Sequence, residues 1–254
     1  MLIENTLFGT VDKVANAIQM LKDFEPKEGY YVAFSGGKDS VVVLDLVKRS
    51  GVKFDAHYNI TTVDPPELVR FIRTFPEVER HRPEMTMWQL IVKNGMPPTR
   101  QARYCCRILK ERGGTGRRVV TGVRRAESYR RSIRSAIHEC FNNNQHKILI
   151  HIIHDWTDAD VWRYIRSRDL AYCSLYDEGW KRLGCVLCPN GNQKAQAKRW
   201  PKIADAYRRA CIRAYDRAAN EGKPRTWKDG NEMYEWWISG KGNRKSDTQP
   251  MMFE

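Results

Sequence analysis

No stretch of this 254-residue chain approaches eighteen consecutive apolar residues, so a membrane-spanning helix is not expected. The opening segment, Met1-Leu2-Ile3-Glu4-Asn5-Thr6, lacks a basic stretch followed by an apolar one. No signal peptide is read there, and the cytoplasm is the expected location, with no membrane partner. The string Gly-x-x-x-x-Gly-Lys-Ser/Thr is missing, which excludes the usual Walker A loop, and Gly-x-Gly-x-x-Gly is missing, which excludes a dinucleotide fingerprint. No internal repeat is present. The cysteines number seven (Cys105, Cys106, Cys140, Cys173, Cys185, Cys188 and Cys211), an odd count without a secretion signal. Disulfide stapling is therefore a poor explanation for them, and metal or redox chemistry a better one.

What the chain has in excess is positive charge, a formal +14 that is unevenly spread. Twelve Lys or Arg lie between Arg100 and Arg134 against two acids, Glu111 and Glu127; from Lys194 onward fourteen basic residues face eight acidic ones. Such patches attract polyanions through phosphate contacts and counterion release, so DNA or RNA is an expected partner beside a nucleotide's own phosphates. A homodimer is left open. With 41% hydrophobic residues the chain is not of disordered composition, and its length suits one α/β domain with a small appended region.

Hydrophobic periodicity predicts a helix over 11–24, closed by Pro26 and Gly29, and a short strand over 30–34. A helix over 40–48 follows, ended by Gly51, then a strand over 54–60 and a helix opened by Pro65 and Pro66 through 75. Helices are expected over 86–93 and 103–112, strands over 118–121 and 147–153, and a helix begun by a Thr157/Asp160 capping box. This alternation predicts a mainly parallel sheet with helices on both faces, followed by a mostly helical C-terminal region. Residues 1–190 are expected to form the nucleotide-binding domain and 191–254 a basic helical extension packed on it. Trp200, Ile203, Tyr207, Ala210 and Ala214 form its expected buried stripe. Trp227, Tyr234, Trp236 and Trp237 lie among cations, where they suit either packing or stacking on unpaired bases. Residues 241–247 are polar and read as a mobile tail.

Between the first strand and its helix stands Ser35-Gly36-Gly37-Lys38-Asp39-Ser40. Glycines let backbone N–H groups face an anion without an intervening Cβ, and the helix N-terminus adds partial positive charge. Lys38 supplies a full charge, Ser40 a hydroxyl, and Asp39 a hard oxygen ligand suited to Mg²⁺. The guanidiniums of Arg124, Arg125 and Arg131 suit phosphate or sulfate, and Asp64, after the second strand, is a candidate contact to nucleotide or metal. Cys105-Cys106 and Cys185-x-x-Cys188 can surround one soft centre, and four thiolates suit either a [4Fe–4S] cluster or a tetrahedral zinc. Cys140 and Cys211 read as packing residues, and Cys173 as a free thiol near the cluster.

The six loop residues resemble the PP-loop of the ATP pyrophosphatases, Ser-Gly-Gly-x-Asp-Ser. Thr121-Gly122-Val123-Arg124-Arg125-Ala126-Glu127-Ser128, Asp155-Trp156-Thr157 to Asp160-Val161-Trp162, Leu175-Tyr176-Asp177-Glu178-Gly179 and Gly184-Cys185 resemble, in the same order, blocks of the PAPS reductase-like (sulfonucleotide reductase) branch. The resemblance runs from about Tyr30 to Pro189. It implies an adenine nucleotide alpha hydrolase-like, Rossmann-like fold that binds ATP through Ser35, Gly36, Gly37, Lys38, Asp39, Ser40 and Gly122. Through its likeness to assimilatory APS reductases and DndC-like DNA phosphorothioation proteins, it favours a [4Fe–4S] cluster on Cys105, Cys106, Cys185 and Cys188 over zinc. Two departures stand against reduction. The chain lacks the reductases' Glu-Cys-Gly-x-His motif, and its loop is the intact ATP-hydrolysing kind. The expected activity is thus ATP pyrophosphatase and adenylyl transfer that activates an acceptor, of nucleic-acid class, for sulfur transfer with a cysteine desulfurase as donor. A sulfonucleotide reductase and a non-catalytic nucleic-acid-binding subunit are the alternatives.

Overall fold

The computed structural model describes residues 2–6, 9–142, 145–224 and 226–241. It divides into two units that interleave in sequence: residues 1–59, 66–81 and 112–183, and residues 60–65, 82–111 and 184–254. Residues 191–254 share a unit with two earlier segments.

The first unit holds a hairpin of β1 (Ile3–Thr6) and β2 (Gly9–Asp12), paired antiparallel, and a six-stranded sheet. The sheet strands are β3 (Tyr30–Ala33), β4 (Phe54–Asn59), β5 (Val78–His81), β6 (Arg118–Val120), β7 (Ile137–Asn142) and β8 (Gln145–Ile150), in the spatial order β5-β4-β3-β6-β8-β7. All neighbours are parallel except β7 and β8. In β3, Tyr30, Tyr31 and Val32 are all buried, so both faces of the central strand are covered, as a parallel sheet requires. Helix α1 (Lys13–Asp23) starts where the Asp12 carboxylate accepts from the Val14 and Ala15 amides. It packs on α2 (Lys38–Ser50), and α2 packs in turn on α6 (Asp158–Ser167). Gly51 ends α2 in the left-handed conformation, as predicted. The Thr157/Asp160 capping box that starts α6 is present in both directions. Helices α3 (Pro66–Ile72) and α5 (Tyr129–Ser132) complete this unit.

The second unit is helical: α4 (Met87–Asn94), α7 (Gln193–Arg199), α8 (Pro201–Asn220) and α9 (Gly230–Ile238). Helix α8 packs on both α4 and α9. Tyr207 is its anchor, in edge-to-face contact with Trp88 and tilted against Trp237, whose indole N–H donates to the Pro98 carbonyl at 2.6 Å. Trp200, Tyr207, Ala210 and Ala214 are buried as expected, with Ala204 and Cys211, while Ile203 is half-buried.

Two sequence expectations are corrected. The strand over 147–153 ends at Ile150, because His151 to Ile153 turn away as the chain approaches α6. The helix over 103–112 is a single wide turn, Cys106–Lys110, closed by the Glu111 amide on the Cys106 carbonyl. Strands β5 and β7 and the β1–β2 hairpin were not read, since four to six residues of mixed polarity carry little periodicity. Of the two readings kept open for the C-terminal aromatics, packing holds for Tyr234 and Trp237, which are buried. The tail expected over 241–247 lies outside the described residues after Lys241.

Candidate functional site

The phosphate loop occupies the junction of β3 and α2 in the first unit. Gly36 has φ of +71°, and a Cβ there would lie 2.6 Å from Ile72 Cγ1 and 2.8 Å from Leu68 Cδ1. Only glycine fits, because both the conformation and the space exclude a side chain. Gly37 caps α2 with no side-chain hydrogen bond, so the first-turn amides are not consumed by a capping residue. The Ser40 hydroxyl donates to the Gly37 carbonyl at 2.8 Å and accepts from the Ser35 amide at 3.2 Å, which ties the loop's two ends together. The Lys38 amide donates to the Tyr176 hydroxyl at 2.9 Å.

Four charges meet beside this loop. Lys38 Nζ lies 3.2 Å from Asp39 Oδ2 and 2.9 Å from Asp158 Oδ1. Arg124 Nε lies 2.6 Å from Asp39 Oδ1, and its Nη2 lies 3.0 Å from Asp158 Oδ1. Lys38 and Arg124 are only 5% and 4% exposed, so neither cation is free in solvent and each depends on the carboxylates. Burial works against the Asp158 charge, but Lys38 and Arg124 more than offset it, and its carboxyl lies below its ordinary range. A Cβ on Gly122 would stand 3.0 Å from the Asp39 carbonyl carbon, so this glycine allows the Thr121–Arg124 segment to press against the first turn of α2.

The structure thus brings together Ser35, Gly36, Gly37, Lys38, Asp39, Ser40, Gly122 and Arg124. Arg125 is exposed and pairs with Asp155 at 2.9 Å, and Arg131 is ion-paired with Glu127. Asp64, in the second unit, accepts from the Thr61 amide at 3.0 Å. Asp158 and Tyr176 carry contacts that the sequence reading did not assign. Both lie inside segments already singled out. An acid in the first turn of a capped helix was the available signal for Asp158.

Cys105, Cys106, Cys185 and Cys188 all belong to the second unit, as free, half-buried thiols. The Cys105 thiol donates to Cys106, and this bond comes first in holding the Cys106 thiol down, to about 5. Arg103, whose Nη2 reaches Cys106 Sγ at 3.5 Å, and Lys110 act in the same sense. Burial pushes Cys185 up to about 11, and the Cys185 sulfur in turn is the first cause that raises Lys110. The Cys185-x-x-Cys188 turn is fixed by the Val186 amide on the Val63 carbonyl at 2.8 Å and by the Tyr207 hydroxyl on the Val186 carbonyl at 3.2 Å. Leu187, fully buried at its centre, takes a φ of +58°, a conformation unfavourable for a branched side chain.

Among the described residues, no three of these four sulfurs lie within 4.8 Å of one another. A single tetrahedral zinc with bonds of about 2.3 Å would hold its sulfurs about 3.8 Å apart. Four thiols of one unit, with Arg103 and Lys110 beside them to offset thiolate charge, are a donor set that suits a zinc or an iron–sulfur centre. Cys173 is buried in the first unit, and Cys211 is buried in α8, as a packing residue would be.

Against known families, residues 29–191 match the phosphoadenosine phosphosulfate reductase domain. The chain belongs to this family. It is the PAPS reductase-like branch of the PP-loop superfamily that the loop and its following blocks resemble. An uncharacterised protein of Methanocaldococcus jannaschii is 29% identical over 239 residues, which cover 85% of this chain and 48% of that protein. A second protein from the same organism is 32% identical over 171 residues, 62% of this chain and 40% of its own length. The chain thus spans half or less of these two relatives. The adenosine 5'-phosphosulfate reductase of Oceanobacillus iheyensis is 29% identical over 185 residues, 66% of this chain and 75% of that enzyme. A crystal structure of phosphoadenylyl-sulfate reductase from Candida auris, in a phosphate complex, superposes with a TM-score of 0.52 at 18% identity. It covers 69% of this chain and 88% of that one, and supports the fold. Among the described residues, no helix of this PAPS reductase family member is long and apolar enough to cross a membrane.

Proposed function

We propose that this protein is an ATP pyrophosphatase and adenylyltransferase that activates a nucleic-acid acceptor for sulfur transfer, as in DNA phosphorothioation. The observation that carries this reading is the neutral quartet of Lys38, Arg124, Asp39 and Asp158 beside an intact Ser-Gly-Gly-Lys-Asp-Ser loop whose helix has no side-chain cap. Asp39 and Asp158 would hold the Mg²⁺ that accompanies ATP, whose charge would offset that of the leaving pyrophosphate, and Lys38 and Arg124 would then face the phosphates. Both buried cations would stay paired. An acceptor oxygen then bonds to the α-phosphorus in line, the bond from that phosphorus to the bridging oxygen breaks, and pyrophosphate leaves. A backbone phosphodiester attacks through an already ionised oxygen, so no proton is lost in this step. Sulfide-level sulfur, supplied by a cysteine desulfurase with a thiol reductant, bonds to the activated atom and displaces AMP. The protein's contribution is positioning and electrostatic stabilisation.

Cys105, Cys106, Cys185 and Cys188 would hold a [4Fe–4S] cluster, which supplies one-electron chemistry or a site for sulfur when bound. Nucleic-acid contact rests on the +14 charge and on the exposed Arg100, Arg103, Arg107, Arg130 and Arg134. Helix α8 contributes less than its sequence suggests, because Arg208, Arg209 and Arg217 are paired with Glu235, Asp205 and Glu221.

The names of several relatives favour a second reading, reduction of adenylyl sulfate. One experiment separates the two. Pyrophosphate release is measured from ATP alone, with DNA and with RNA, and sulfite release from adenylyl sulfate with a dithiol reductant. The proposal expects nucleic-acid-stimulated pyrophosphate, lost in Lys38→Ala and Asp39→Ala, and no sulfite. Sulfite without ATP consumption establishes the reductase instead.

A further inference from the structure

Away from the loop, β4 and β5 place four ligand-type side chains on one face of the sheet. Side chains two apart along a strand share a face, which groups Asp55 with His57 and Glu79 with His81. The parallel register sets His57 opposite Glu79. Among the described residues, His57, Glu79 and His81 form the one group of three or more His, Cys, Asp or Glu ligand atoms that all lie within 4.8 Å of one another. We propose that these three residues bind a zinc-class divalent cation, independently of the nucleotide and cysteine sites.

The hydrogen bonding prepares His57 for this. Its Nε2 is paired with the Asp55 carboxylate, which must accept the ring proton there and so leaves the lone pair on Nδ1. Asp55 is itself held in place by Arg117, at 2.7 Å to one oxygen. This carboxylate–imidazole arrangement is the one that orients histidine ligands and raises their basicity. The ring stacks on Tyr31 at 4.1 Å with planes 13° apart, and His57 is only 8% exposed, so its orientation is fixed.

The bare Nδ1 of His57 lies 2.8 Å from His81 Nε2 and 3.5 Å from Glu79 Oε2. Ligands bound to zinc at about 2.0–2.1 Å in a tetrahedron stand about 3.3 Å apart. The separation from Glu79 is already near that value. The two imidazole nitrogens must part by about half an ångström, and the His81 side chain, 33% exposed on the edge strand, has room to swing. Binding moves the His81 proton to Nδ1 or to solvent, so that Nε2 can ligate. Two imidazoles and one carboxylate leave a fourth position for water on the side of the exposed Glu79, the donor set of an open zinc site. The ion would also clip β5, an edge strand of four residues, to β4.

The test uses tag-free, full-length protein with its cysteine site metal-replete. Equilibrium dialysis against Zn²⁺ is expected to show one further equivalent per chain. His81→Ala and Glu79→Gln, both partly exposed positions, are expected to abolish that equivalent while retaining the unfolding transition. Asp55→Asn is expected to weaken binding about 10–100-fold. Co²⁺ in the same site should give d–d absorption without sulfur-to-metal charge transfer. No additional zinc, full stoichiometry in His81→Ala, or a sulfur charge-transfer band from the added Co²⁺ would each overturn the proposal. The four residues would then be a hydrogen-bonded chain and nothing more.

Discussion

Adding one methyl group at each of two adjacent loop positions should separate folding from nucleotide binding. At Gly36 the new Cβ would sit 2.6 Å from Ile72 and 2.8 Å from Leu68, both buried side chains of α3. The residue would also hold a φ of +71°. A left-handed L-residue costs about 1–2 kcal/mol, and forcing a methyl into a filled core typically about 1–3 kcal/mol. Gly36→Ala should therefore destabilise the protein by about 2–5 kcal/mol, a large share of a total near 5–15 kcal/mol. At Gly37 the backbone is extended, and a Cβ would meet nothing closer than the Tyr176 hydroxyl at 3.5 Å. The weaker helix cap of alanine and the lower entropy of its unfolded chain nearly cancel, each about 0.5–1 kcal/mol. Gly37→Ala should leave stability unchanged and place a methyl among the amides that a phosphate must approach. Urea unfolding without nucleotide reads the first effect as a lowered midpoint for Gly36→Ala alone. ATP affinity reads the second, with a fall of about tenfold or more for Gly37→Ala. Wild-type ATP binding by Gly37→Ala would refute the assignment of these amides to phosphate.

Asp158→Asn leaves two nearly buried cations sharing one carboxylate. With the Asp158 side chain 64% exposed, solvent screening limits the loss to about 1–2 kcal/mol. Calorimetry should show Tm lowered by about 2–8 °C, and the KM for MgATP should rise; unchanged values of both would remove Asp158 from the site. The Asp55, Asp158 and Asp160 carboxyls all lie below their ordinary range, held there against burial by Arg117 and His57, by Lys38 and Arg124, and by Lys13 and Thr157. Their stabilisation is complete above the unfolded-state pKa of about 3.9 and is lost as pH falls through the lower folded values. Tm should accordingly hold between neutrality and about pH 5 and fall below about pH 4, less steeply in Asp160→Asn. Trp237→Phe removes the indole bond to Pro98 and leaves that carbonyl buried without its donor. Equilibrium unfolding should report a loss of about 1–3 kcal/mol, and an unaltered midpoint would show that the bond is dispensable.

The strand–glycine–helix junction was legible because its chemistry is local. Ser35 to Ser40 is one continuous stretch, and each glycine's role follows from what a backbone must do to face an anion. The helix start at Thr157 and the stop at Gly51 were legible for the same reason, since caps involve residues three or four apart. The family blocks were likewise readable in chain order. Partnership at a distance was not. Asp158 reaches Lys38 across 120 positions, and a single linear pattern does not say which acid closes a charge quartet. Arg124 and Arg125 are neighbours of identical type, yet one is buried on Asp39 and the other turns to solvent, because Arg124 is in extended backbone while Arg125 opens a short helical turn, Arg125–Glu127. The alternation of side chains along a strand and the β4–β5 register bring His57, Glu79 and His81 to a common point that no spacing in the chain announces. Local backbone chemistry was thus written in consecutive residues, whereas the pairing of buried charges and ligands was settled by which strands and helices came to lie side by side.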